Sequence, residues 1–212
     1  MDSGLSAAAG SRPAISEITT VKNTMPIDRK HIDDERAGGL AGAEVRGEVL
    51  LAILEGMPSL EIEVLQILGR HGISQPEAGG WYPLERLISA WEEIGQRMTP
   101  TALYAMGSKL ADRTGIHLDI KDFADFTRNL DVIYHGHHRG GAFGQFAAEW
   151  EDERRVRIFM ASPYPCDFER GILYGFARRW PPPGATRVSV EHDDQAPCRK
   201  RGARSCSYRL TW

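Results

Sequence analysis

Apolar side chains recur at three- and four-residue steps up to about residue 140 and at two-residue steps beyond Gly140-Gly141. That switch of period restricts the chain to helices first and an antiparallel sheet last. Val45, Val49, Leu50, Ile53 and Leu54 share one helical stripe, and Leu60, Val64, Leu65 and Leu68 share another after Pro58-Ser59, which predicts two helices. The clearest amphipathic stripe is Leu84, Leu87, Ile88, Trp91 and Ile94, over residues 83–97. Thr99-Pro100 reads as cap and first turn of a helix carrying Leu103, Met106 and Leu110 and ending at Gly115. Residues 119–134 continue helical, with Ile120, Phe123, Leu130 and Ile133 inward. Phe146, Ala148 and Trp150 then alternate with polar and small neighbours, residues 151–153 turn, and Val156, Ile158 and Met160 alternate again, the pattern of a hairpin. Phe168, Ile172, Leu173 and Phe176 mark a helix that Pro181-Pro182-Pro183-Gly184 stops. A closing hairpin sets Val188, Val190 and His192 on one strand face and Cys206, Tyr208, Leu210 and Trp212 on another. The expected class is therefore α+β, a helical part at 44–140 followed by a β-β-α-β-β sheet unit at 141–212. Residues 1–43, rich in Ala, Gly, Ser, Asp and Arg without a period, read as a flexible tail.

Composition narrows the function classes. The longest aliphatic run, residues 49–54, is far short of the roughly 20 residues that span a bilayer, so no membrane association is expected. Three cysteines cannot all pair within one chain, and the first residues lack a basic flank and apolar stretch, which points to a reducing cytoplasm. The net charge of -3 conceals a basic end, with nine Lys and Arg against five Asp and Glu from Cys166 onward. Arg199, Lys200, Arg201 and Arg204 read as a solvated hairpin face, since a nucleic-acid surface carries a denser basic stripe with aromatics between. No GxGxxG, P-loop, GxSxG or HExxH occurs, and no paired carboxylates of catalytic character are visible, so no catalytic residue is assigned.

Chemistry concentrates at the C-terminal end. Cys166 begins a helix, Cys198 sits in the last hairpin connection and Cys206 points inward from the last strand. Thiolates favour zinc, whose structural sites are closed by four ligands, and His192 is the first choice for the fourth, with Glu191, Asp193 or Asp194 behind it. Two other readings of the same residues stand beside it. Cys206 packs as a small apolar group while Cys166 and Cys198 are idle, or Cys198 and Cys206 form a switchable disulfide.

Tyr134-His135-Gly136-His137-His138 holds three of the seven histidines. One of His135, His137 and His138 aimed into a pocket would suit haem, but flanking glycines describe an exposed helix-to-strand connection. Trp81, Trp91, Phe123, Phe126 and Tyr134 are candidates to line a chamber for an apolar or aromatic ligand, with plain core as the alternative.

The segments PCDFERGILYGFARRW and CRKRGARSCSYRLTW resemble the 4-vinyl reductase type of small-molecule-binding domain. The resemblance rests on Gly171 and Gly175 in a helix, then Cys198, Gly202 and Cys206 in a final hairpin with Tyr208 two positions on. WYPLERLISAWEEIG and TPTALYAMG are similar to the helical half of a wider group that includes haem-nitric-oxide-binding-like and trafficking-complex-like folds. The resemblance implies an apolar ligand chamber between helices and sheet, and a zinc site near the C-terminal hairpin with Cys166, Cys198 and Cys206 as ligands. Where family members have a Glu three residues before the penultimate Cys, this chain has Gln195. The Tyr-x-Ser-x-Arg signature of haem-nitric-oxide sensors does not occur.

The expected function is a cytoplasmic small-molecule-binding sensor acting by population shift, through a homodimer or a separate signalling partner. The alternatives are a haem-based gas sensor using the histidine segment, a tetrapyrrole-processing reductase or accessory protein, and an assembly scaffold.

Overall fold

The computed structural model describes residues 39–113 and 118–212. The helices are α1 (Gly47–Gly56), α2 (Glu61–Arg70), α3 (Leu84–Arg97), α4 (Pro100–Arg113), α5 (Phe123–Gly136) and α6 (Cys166–Arg179). A four-stranded antiparallel sheet is built from β4 (Gln145–Asp152), β5 (Arg155–Ala161), β6 (Ser189–His192) and β7 (Cys206–Thr211), in the order β4-β5-β7-β6. The α+β class and the β-β-α-β-β unit stand as expected, with α6 crossing between the two hairpins.

Period two explains the sheet's two faces. Val156, Ile158 and Met160 of β5 and Cys206, Tyr208 and Leu210 of β7 are buried. Between them on the opposite face, Arg157 and Arg209 meet Glu151, and Arg209 also reaches Asp193 at 3.4 Å. Helix α5 packs on β4 and α6 on β6, so helices cover the apolar face. Phe126 lies against Phe176 at 4.9 Å and Phe123 against Trp212 at 5.3 Å, closing the helix-sheet layer with rings.

Helices α4 and α6 run unusually close together. A Cβ on Gly107 would lie 2.0 Å from the Phe168 carbonyl oxygen, and one on Gly171 2.1 Å from that of Tyr104, so hydrogen at these positions is what permits the approach. This close approach fixes where the N-terminus of α6, and with it Cys166, meets the sheet.

A second sheet escapes the periodicity. β1 (Glu44–Arg46), β2 (Trp81–Pro83) and β3 (His138–Arg139) pair antiparallel in the order β2-β1-β3, inside the part expected to be mostly helical. Strands of two or three residues hold too few side chains to show an alternation. Ala43, at the end of the expected tail, is buried, and its N–H donates to Leu40 O. Residues 1–38, most of that tail, and the expected helix end at Gly115 lie outside the described residues. Among the described residues, no helix is long and apolar enough to cross a membrane.

Candidate metal centre and buried polar network

Four separate segments bring Cys166, His192, Cys198 and Cys206 together. Pro165 caps the N-terminus of α6 and leaves Cys166 as its first residue. His192 ends β6 opposite Tyr208, and Cys206 opens β7 opposite Met160. Between the strands, Arg201 N–H and Ala203 N–H both donate to Cys198 O, and Gly202 takes the left-handed conformation (φ 84°) that turns the chain back.

The three thiols are free and buried. Their sulfurs are separated by 3.3 Å (Cys166 and Cys206), 3.7 Å (Cys198 and Cys206) and 3.8 Å (Cys166 and Cys198). Tetrahedral zinc with Zn–S bonds of about 2.3 Å sets ligand sulfurs about 3.8 Å apart. With one nitrogen of His192, all four donor atoms lie within 4.8 Å of one another. Nε2 of His192 is buried and has no hydrogen-bond partner among the described residues, while Nδ1 faces Asp194 Oδ1 at 2.9 Å. A carboxylate on one imidazole nitrogen leaves the other as the electron-pair donor, the usual outer arrangement around a metal-ligating histidine. The alternatives Glu191 and Asp193 are engaged elsewhere, with Ser189 and Arg209. Cys166 is held well below its ordinary thiol value, first by the hydrogen bond from Cys206 and then by the positive charges of Arg199 and Lys200.

Beneath the cysteines lies a polar cluster that sequence reasoning missed. Glu169, fully buried, accepts from Ser162 Oγ (2.5 Å), Tyr208 OH (2.7 Å) and the Arg199 guanidinium. Arg199 also donates to Met160 O (2.7 Å) and Tyr164 O (2.9 Å). Burial pushes the Glu169 carboxyl up while its donors pull the other way, and a cation that cannot lose its proton makes the carboxylate the form that fits. One signal was available in the sequence: Glu169 stands three residues after Cys166 and three before Ile172, on the apolar stripe of α6.

The histidine segment divides. Nδ1 of His135 and of His137 each lies 2.9 Å from a carbonyl oxygen of α5. His138, expected with them in an exposed connection, is instead only 6% exposed because β3 tucks it against β1. Its Nδ1 faces Tyr134 O at 2.8 Å and its Nε2 faces Tyr164 OH at 2.7 Å. Desolvation brings its pKa down to about 3.

Of the five aromatics named for a chamber, Phe123 and Phe126 touch, with ring centroids 5.9 Å apart. Trp81 sits on β2 with Arg139 4.2 Å and Arg46 5.2 Å from its ring centroid. Trp91 packs on Phe168 at 4.7 Å, with its buried Nε1 unpartnered among the described residues. Phe123 and Phe126 join the ring layer over the sheet, and Tyr134 stacks on Phe146 at 4.0 Å.

No protein-family model and no curated protein matches the chain. Solved structures do match. A crystal structure of an H-NOX protein from S. oneidensis in the Fe(II)NO ligation state aligns at 17% identity and a TM-score of 0.58, covering 78% of this chain and 97% of that one. An oxygen-binding H-NOX domain related to soluble guanylate cyclases, in its oxygen complex, aligns at 13% identity and 0.54, covering 78% and 94%. A protein whose heme redox potential was modulated through protein-induced porphyrin distortion aligns at 11% identity and 0.53, covering 79% and 99%. At these identities the likeness is one of fold: this chain has the haem-nitric-oxide-binding-like architecture.

Proposed function

We propose that residues 44–212 form a sensory domain that binds a small molecule, with a zinc ion held by Cys166, His192, Cys198 and Cys206. The binding role is supported by the fold shared with H-NOX domains over most of the chain. The metal is supported by one observation above the rest: a buried His192 nitrogen with no partner among the described residues, grouped with three free thiols. Zinc would tie the start of α6 to the last hairpin and so hold the helix-sheet junction closed. The Cys198, Gly202 and Cys206 hairpin supports placing the chain in the 4-vinyl reductase branch of the fold group, and three free thiols suit a reducing compartment.

Elemental mass spectrometry on the purified protein tests the metal, with about one zinc per chain expected. Cys206→Ser is expected to lose zinc and stability together, and unchanged metal content and melting would refute the assignment.

A second reading, a haem-based gas sensor, is favoured over the 4-vinyl reductase reading by the fold neighbours. Haem would supply an iron that binds the gas. The side chains fit that group incompletely: His135 is exposed, and in buried His138 an iron would have to displace a hydrogen bond to Tyr164 or Tyr134. Haem titration decides it. A Soret band that disappears in a His135, His137 or His138 variant carries the reading, and no Soret band ends it.

A further inference from the structure

The thiols are brought together by contacts that involve no sulfur. Cys166 lies on α6, Cys198 before the turn Arg199–Arg201 and Cys206 on β7; α6 carries a buried carboxylate, and the other two segments each send a polar side chain to it. Glu169 itself stands one helical turn beyond Cys166. Arg199, the residue after Cys198, reaches it from the turn, and Tyr208, two residues after Cys206 on the same strand face, reaches it from β7. Tyr208 OH also lies 3.0 Å from Cys166 O, joining the last strand to the backbone of the first ligand. Ser162 adds the residue after β5, and the Arg199 bonds to Met160 O and Tyr164 O fasten the end of β5 and the loop leading into Cys166. Removing the sulfurs would leave this knot unchanged.

From that arrangement we infer that Glu169 and Arg199 are positioning residues for the cysteine site: they hold Cys166, Cys198 and Cys206 in register before a metal arrives and do not touch the metal themselves. The inference rests on the zinc reading above. Its consequence is a site preformed in the metal-free protein, unlike small zinc domains whose ligands are gathered only by the ion. Affinity then depends on residues that are not ligands, as for other outer partners of metal sites.

The test uses the full chain stripped of metal and titrated with Co(II) and Zn(II) against a competing chelator, reading the thiolate-to-cobalt absorption and the far-ultraviolet circular dichroism. Wild-type protein is expected to stay folded without metal. Leaving either charge alone in the core can unfold the chain, so the informative variant is the pair Glu169→Leu with Arg199→Met, which removes both charges at similar volume. Expected is a folded protein whose metal affinity is lower by roughly 10- to 100-fold, with altered cobalt bands. Ser162→Ala, which keeps both charges and removes one donor, is the milder arm and is expected to lose affinity in the same direction. Wild-type affinity in both variants overturns the positioning role and leaves the zinc reading intact. Wild-type protein that unfolds on losing metal also overturns it, since the ion would then gather the thiols. Wild-type protein that binds neither metal overturns the zinc reading and this inference with it.

Discussion

Lowering the pH from neutral to 5 should destabilise this protein through His138 in particular. Its imidazole is buried and neutral, with a folded pKa of about 3 against about 6.5 in a free side chain, and desolvation is the main cause. Positive charge on His137 and His135 adds to the depression. Because the folded value lies below the unfolded one, the unfolded chain binds more protons throughout the window between them. Stability is therefore complete above pH about 6.5 and falls with pH down to about 3. Each pH unit in that window costs up to about 1.4 kcal/mol, which makes the loss at pH 5 about 2 kcal/mol. For a domain of this size that is a fall in Tm of about 4–8 °C. Melting curves of wild type and His138→Gln at pH 7, 6 and 5 isolate the effect, since other titrating groups are common to both proteins. The variant leaves Tyr164 OH and Tyr134 O to find new partners and is expected to be less stable by about 1–3 kcal/mol at pH 7, with the gap narrowing toward pH 5. Parallel curves would show that His138 does not carry this proton linkage.

Two further substitutions probe the backbone. Gly107→Ala would drive a methyl group into the Phe168 carbonyl 2.0 Å away and force α4 from α6, an expected loss of about 1–3 kcal/mol, whereas Gly95→Ala on α3 meets nothing within 4 Å and should gain up to about 1 kcal/mol in helix propensity. Thermal melts of the two check the contrast, and equal effects would refute the tight crossing. Asp122 caps α5 by accepting from Asp125 N–H at 2.7 Å, so Asp122→Ala should cost about 1 kcal/mol in chemical denaturation, and an unchanged midpoint would deny the cap any weight.

By itself the sequence determined the order of helices and hairpins, because elements of four or more residues repeat their apolar period often enough to be read. It also offered Cys166, Cys198, Cys206 and His192 as one candidate ligand set, since thiolates favour zinc and three cysteines need a fourth donor, beside readings as idle thiols or a disulfide. Tertiary structure alone decided the rest. The β1-β2-β3 sheet joins residues up to 95 positions apart through strands too short to show alternation, and it is this sheet that buries His138. The Glu169 and Arg199 pair lies 30 positions apart in sequence and meets only because α6 packs on β6, the strand that leads into the turn carrying Arg199. Local periodicity reports which face of an element is apolar; it carries no information on which distant charge will be buried with its partner, because that depends on how closely the elements pack.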